Sequence, residues 1–199
     1  MLGRRGAVLA NLLDRDGLEA LRQDAVASHR SAAEMSALEP DEEIWRGGSP
    51  DRWLESAPGG EALQAFYHSP RVLDLLQRLT GMEWTQSGLA GTYSYYRRPG
   101  HHLGLHRDID ECDLAVITCV HDSSESRAET GGALCLYPER VEDPLPELRA
   151  RPDDGAAYVR LEPGQSVVLL GGRVPHRVLP VGEEHVRIVA PLCYRALGS

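Results

Sequence analysis

His106-Arg107-Asp108, read together with Gly171-Gly-Arg-Val-Pro-His176-Arg-Val-Leu-Pro180 and His185-Val-Arg187-Ile-Val-Ala190, decides what kind of fold this chain needs. In an extended strand alternate side chains share a face, so His106 and Asp108 project together while Arg107 points away. A metal held by that pair needs a further ligand from elsewhere in the fold, and His176 lies in a second strand-like run. Two neutral imidazoles and one carboxylate suit a divalent first-row metal, occupying one face of it and leaving the other positions open. Arg187 follows in the next strand-like run. A guanidinium there can grip a carboxylate through two parallel hydrogen bonds. An H-x-D tripeptide by itself arises often by chance, so the weight rests on the ordered set.

That set resembles the Fe(II)/2-oxoglutarate-dependent dioxygenases, particularly their compact prolyl-hydroxylase-like branch. The resemblance runs from about Gly91 to Arg195 and takes in Tyr96, Gly131-Gly-Ala-Leu-Cys-Leu-Tyr-Pro138 and Val174-Pro-His-Arg-Val-Leu-Pro-Val181. It implies that His106, Asp108 and His176 hold Fe(II). It also implies that 2-oxoglutarate chelates the metal through its 2-oxo and C1-carboxylate oxygens, with its C5 carboxylate on Arg187 and Tyr96 in contact with it. The reaction so implied consumes O2 and 2-oxoglutarate, releases succinate and CO2, and hydroxylates a C–H bond. Related halogenases replace the ligand carboxylate with a small residue, and Asp108 leaves no such vacancy.

Rival readings separate on named residues. His-Arg-Asp is also a protein-kinase signature, but that motif demands an Asn five residues after the Asp, an Asp-Phe-Gly and a glycine-rich loop. Position 113 is Asp and the single Phe is Phe66, so the kinase reading fails. Nucleic-acid demethylases of the same superfamily typically carry a second Arg six residues after the cosubstrate Arg, where this chain has Cys193. A cupin-like metalloprotein acting without 2-oxoglutarate keeps the three ligands and needs no Arg187. A non-catalytic jelly-roll binding module needs none of the four.

Composition narrows the partners. The formal net charge of −9 disfavours non-specific binding to nucleic acid or to an anionic membrane, and every basic residue is Arg rather than Lys. No apolar run reaches the length of a membrane span. The N-terminal Met-Leu-Gly-Arg-Arg-Gly-Ala-Val-Leu-Ala is interrupted by Asn11 and Asp14 too soon for a secretory core, so the expectation is a cytoplasmic protein. Compact size and missing lid contacts suggest a small-molecule substrate, a free amino acid or a natural-product intermediate, with a peptidyl or carrier-bound substrate as the alternative. The chain's oligomeric state is not legible. The four cysteines show no zinc spacing; Cys119, Cys135 and Cys193 lie in apolar runs and read as buried free thiols.

The expected architecture is a single α+β domain over 1–199. It comprises a mainly helical support region, 1–83, and a double-stranded β-helix (jelly roll), 84–199, with the N-terminal helices packed on one face of the sheet. Asp16 before Gly17-Leu-Glu19 reads as a helix cap, and Ser69-Pro70 opens a helix ending near Gly81. Glu39–Asp51 reads as a loop. Expected strands are Gly88–Tyr96, Leu103–Asp108, Leu114–His121, Ala133–Tyr137, Tyr158–Leu161, Ser166–Leu170, His176–Val181 and Val186–Tyr194. Asp122–Thr130 and Val141–Ala157 read as polar or Pro-rich connections. His101, His102 and His185 are not expected as ligands, while His121 and Thr118 are candidate pocket residues.

Overall fold

A computed structural model describes residues 6–40, 46, 49–124 and 131–198. Gly47 and Gly48 of the expected 39–51 loop, and most of the 122–130 loop, lie outside the described residues.

All eight expected strands form: β5 (Thr92–Tyr96), β6 (His102–His106), β7 (Leu114–Asp122), β8 (Leu134–Leu136), β9 (Ala157–Val159), β10 (Gln165–Leu169), β11 (His176–Val178) and β12 (Arg187–Ala196). The region 1–83 is less helical than expected. Besides α1 (Arg15–Ser28), α2 (Glu61–Tyr67) and α3 (Pro70–Thr80), it contributes β1 (Ala7–Asn11), β2 (Ala33–Ala37) and β3 (Arg52–Pro58). The last lies in mid-sheet between β5 and β6. Only Leu54 and Ala57 of β3 are buried, so its sequence lacks the two-residue period of a half-buried strand; pairing on both edges holds it there. Two smaller corrections concern helices. Asp14, not Asp16, caps α1, its carboxylate accepting from Gly17 N at 2.9 Å. The 141–157 connection contains a short helix, α4 (Leu145–Ala150). At α3 the reading holds: Pro70 opens the helix and Gly81 closes it at φ 76°, where a side chain is disfavoured.

The strands join edge to edge in the order β1-β10-β7-β12-β5-β3-β6-β11-β8-β9, with β2 on β3 and β4 (Trp84–Gln86) on β12, and every pairing is antiparallel. One apolar cluster draws on both arms of that path. Tyr96, Cys119, Val167 and Val189 come from one arm, and Leu134, Leu136 and Val178 from the other. The sheet therefore curls until its arms face each other across a shared interior, as in a jelly roll. The alternate residues Tyr93, Tyr95, Val116, Val168 and Leu192 face outward and are covered by Leu21, Ala25, Leu63, Phe66 and Leu76 of the three N-terminal helices. Full burial of each of the larger apolar side chains contributes about 1.5–3 kcal/mol. Leu145 and Leu148 of α4 cover Leu105 and Tyr137 on the back of the other arm.

The cysteine expectation needs correcting. Cys193 is bonded to Cys112 in a disulfide, with Cα atoms 4.9 Å apart; Cys119 and Cys135 are the free, buried thiols. The pairing arises because β12 runs beside β7, so Asp113 N donates to Tyr194 O at 3.1 Å and the two cysteines, 81 positions apart in sequence, meet. Burial pushes the Cys119 thiol up to about 11. Among the described residues, no helix is long and apolar enough to cross a membrane.

Candidate metal centre

His106 ends β6 and His176 begins β11, and the antiparallel register sets them directly opposite each other, with ring centroids 4.3 Å apart. The ladder slips between this pair and the next, Val178 with Leu103, a bulge that re-aims the end of β6. Each Nδ1 lies within hydrogen-bonding distance of a carbonyl two residues earlier in its own chain segment, Gly104 O at 2.8 Å for His106 and Val174 O at 2.9 Å for His176. With Nδ1–H donating there, Nε2 of each ring is left as the lone-pair nitrogen, the tautomer a metal needs. Both Nε2 atoms stand 3.6 Å from Asp108 Oδ1. The ligand atoms of the three residues all lie within 4.8 Å of one another.

Asp108 sits just past β6, where its N–H donates to Gly171 O at 2.9 Å. Its Oδ2 is buried with no hydrogen-bond partner among the described residues. Burial opposes its ionisation, but His176 and His106 outweigh that and hold the carboxyl well below the usual carboxylate range. Burial, then His176, lower the pKa of His106; for His176 burial is outweighed by Asp108 and the pKa is raised. Asp108 thus favours the protonated form of His176, while His106 is held toward its neutral form. Arg107 points the opposite way, as alternation demands, donating to the carbonyls of Arg173, Val141 and Asp143 at 2.8–3.1 Å.

Two supports of the centre escaped the sequence reading. The Gly171-Gly172 pair was legible only as the start of a strand. A β-carbon at 171 would overlap Asp108 Oδ2 and stand 2.7 Å from its carboxyl carbon; one at 172 would stand 2.6 and 2.7 Å from the guanidinium nitrogens of Arg46. Arg46 is the other support. It donates to the carbonyls of Asp108 (2.9 Å), Ile109 (2.7 Å) and Cys112 (3.1 Å), bracing the turn that carries the carboxylate. Nothing in its local sequence marks it, because its partners lie more than sixty positions away.

Arg187 opens β12 opposite Tyr96 of β5 and is almost wholly buried, its guanidinium carbon 5.3 Å from the Tyr96 ring centroid. Its Nη1 has no hydrogen-bond partner among the described residues. Burial raises the Tyr96 pKa against the opposing pull of Arg187, so the phenol is neutral. Tyr96 and Val189 line the shared interior, and so does Val178, which shares a strand face with His176. By strand alternation the imidazoles, the phenol and the Arg187 cation therefore face the same interior of the curled sheet, with the Asp108 carboxylate beside the imidazoles.

The remaining polar candidates fall elsewhere. His101 packs edge-on against Trp53, His102 lies 3.2 Å from Asp51, and His185 lies 2.8 Å from Asp122. Thr118 is buried against the Ser166 hydroxyl at 2.8 Å. His121, expected near the pocket, is on the other side of the sheet. The register with β12 slips at Val120, where one extra residue turns His121 onto the helix-covered face.

No protein-family model matches the sequence, and no curated protein matches it. Solved structures do. An α-ketoglutarate-dependent epimerase of nogalamycin biosynthesis, SnoN, superposes with a TM-score of 0.71 at 15% identity, over 97% of this chain and 77% of its own. The chain has the fold of the 2-oxoglutarate–iron oxygenases. A Pseudomonas putida prolyl-4-hydroxylase matches with a TM-score of 0.60 at 20% identity, over 98% and 95% of the two chains. A Trichoplax adhaerens prolyl hydroxylase, solved with a peptide fragment of hypoxia inducible factor, matches at 0.66 and 19%, over 97% and 84%. A further structure of the epimerase contains Fe3+ and α-ketoglutarate. The oxygenase fold is thus shared along nearly the whole chain at sequence identities of 15–20%.

Proposed function

We propose that this protein is an Fe(II)/2-oxoglutarate-dependent oxygenase that hydroxylates a small molecule. The observation that carries the reading is the buried, unpartnered Arg187 Nη1 beside Tyr96, facing the same interior as the His106–Asp108–His176 cluster. A buried cationic N–H left without an acceptor bears the full desolvation penalty of the group, and a dicarboxylate reaching from the metal would supply the acceptor. The donor set fits ferrous iron: two imidazole nitrogens and a carboxylate, with the other positions open. His106, Asp108 and His176 would hold the iron, and Arg187 would hold the far carboxylate of 2-oxoglutarate.

When both are bound, they supply the activation of O2 that converts a C–H bond, O2 and 2-oxoglutarate into an alcohol, succinate and CO2. The chain's own residues do the rest. The Gly104 and Val174 carbonyls orient the two rings, Gly171 leaves room for the carboxylate, Arg46 braces its turn, and the neutral Tyr96 phenol can share the cosubstrate carboxylate with Arg187. The retained carboxylate ligand favours hydroxylation over halogenation. A small-molecule substrate is supported by the kinship of fold with SnoN and with HygX, which was solved with hygromycin B bound.

Anaerobic titration of Fe(II) and 2-oxoglutarate, following the weak visible metal-to-ligand charge-transfer band, tests the reading. The expected band needs both additions and vanishes in His176→Ala. Iron binding without the band would overturn the 2-oxoglutarate assignment in favour of a cupin-like metalloprotein. Failure to bind either would leave a binding module.

A further inference from the structure

The slip in β7 that removes His121 from the metal chamber builds a second site on the opposite face of the same strands. Tyr95, Ile188 and His121 stand side by side across β5, β12 and β7, one residue out of step with the Tyr96–Arg187 row. With Val120 and Val186 they floor a cavity of about 430 Å³, walled by Ala25 and Val26 of α1. That volume is in the range of small-molecule sites. Val26 is 70% exposed at the lip although it belongs to the helix that covers the sheet. The same cavity is lined by Arg22, His29, Arg97 and His121 and, among the described residues, by no acidic side chain.

The charge is only partly met, and from outside the lining. Glu55 stands 2.8 Å from His29 Nε2 and 3.9 Å from Arg97, whose Nη1 also lies 2.8 Å from that His29 nitrogen. Among the described residues Arg22 has one carboxylate approach, 3.9 Å to the exposed Glu19, and its Nε donates to Val120 O at 3.2 Å, which holds the guanidinium beside the cavity that it lines. No hydrogen bond to the His121 ring is found among the described residues. A chain with net charge −9 therefore presents two guanidiniums and a free imidazole over an apolar floor.

The geometry points to a second ligand site, between α1 and the outer face of β5, β12 and β7, for a small amphipathic carboxylate. The apolar body lies on Tyr95, Val120 and Ile188 and against Val26, and the carboxylate meets Arg22, Arg97 and His121. The site is separated from the metal chamber by the thickness of the sheet, so its occupancy requires neither iron nor 2-oxoglutarate.

Calorimetric titration of the full chain with decanoate, without metal or 2-oxoglutarate, tests this. One saturable site is expected, with affinity falling at least ten-fold in Arg22→Gln and in Val26→Trp, which plugs the lip. Decanol, lacking the charge, should bind at least ten-fold more weakly. Both substituted positions are partly or largely exposed on α1, and unchanged melting curves would show that the variants fold. Arg187→Ala should leave decanoate binding unaltered. Absence of saturable binding, indifference to the Arg22 and Val26 substitutions, or equal affinity for decanol would each overturn the proposal. Loss of binding in Arg187→Ala would also overturn it, by placing decanoate in the metal chamber. The charge-transfer titration stands or falls separately, because it reads only the other face of the sheet.

Discussion

Gly171→Ala isolates the steric support of the candidate metal centre. Glycine 171 is not in a left-handed conformation, so an alanine there carries no backbone strain and the effect is confined to the new methyl group. That methyl would overlap Asp108 Oδ2 and lie 2.7 Å from the carboxyl carbon. Carbon atoms pack at about 3.5–4.0 Å, so the carboxylate must retreat by roughly 1 Å. Metal–ligand distances tolerate about ±0.2 Å, and the retreat therefore detaches or distorts one of three protein ligands. Disturbing a group that orients a ligand typically costs about 10–100-fold in metal affinity. That is about 1.4–2.7 kcal/mol. Competition between the protein and a chromophoric chelator for Co(II) or anaerobic Fe(II) measures it directly, with Asp108→Gly as the variant in which the ligand is lost altogether. The reasoning is refuted if Gly171→Ala keeps its metal affinity within two-fold of the parent while Asp108→Gly loses it.

Three other expectations follow from the same geometry. Arg187→Gln should weaken 2-oxoglutarate binding by about 1.5–3 kcal/mol, the value of a hydrogen bond to a charged group, and leave metal affinity unchanged; parallel calorimetry with each ligand would expose a coupled loss, which would contradict separate roles. Below the raised folded pKa of His176, metal binding should release about one proton, because the ring is then protonated beside Asp108 while the lowered pKa of His106 keeps that ring neutral. Affinity should therefore rise with pH. The stability that the His176–Asp108 pair gives the metal-free protein is present below the unfolded histidine value of about 6.5 and is lost as pH rises through the higher folded value. Measuring heats in buffers of different ionisation enthalpy counts the proton, and a count near zero or two would contradict the assignment. Reducing Cys112–Cys193, whose loop spans 81 positions, should lower stability by up to about 4 kcal/mol, seen as a lower urea midpoint with reductant. An unchanged midpoint would mean that the bridge constrains nothing in the unfolded chain.

The grouping of His106 with Asp108 was legible because strand alternation is a local property. Once His106 and Asp108 stand two apart in an extended run, they share a face wherever that run lies. The same locality made the eight later strands and α3 readable, since their apolar periods and their Pro, Gly and Asp boundaries are written in consecutive residues. The three early strands were not readable. β2 has no buried face and β3 buries only two side chains, so main-chain pairing with distant strands, rather than a pattern of their own, makes them extended.

What the sequence determined by itself, then, was the inventory of the candidate centre and the strands on which its histidines ride. Distances between elements were decided only by tertiary structure. The opposition of His106 and His176, the partners of Arg46, the room that Gly171 leaves for Asp108 and the bond between Cys112 and Cys193 all depend on which strands become neighbours and in what register. His121 shows how sharply. One extra residue at Val120 carries it from the expected chamber to the opposite face of the sheet, because a side-chain period of two turns any slip of one into a change of side.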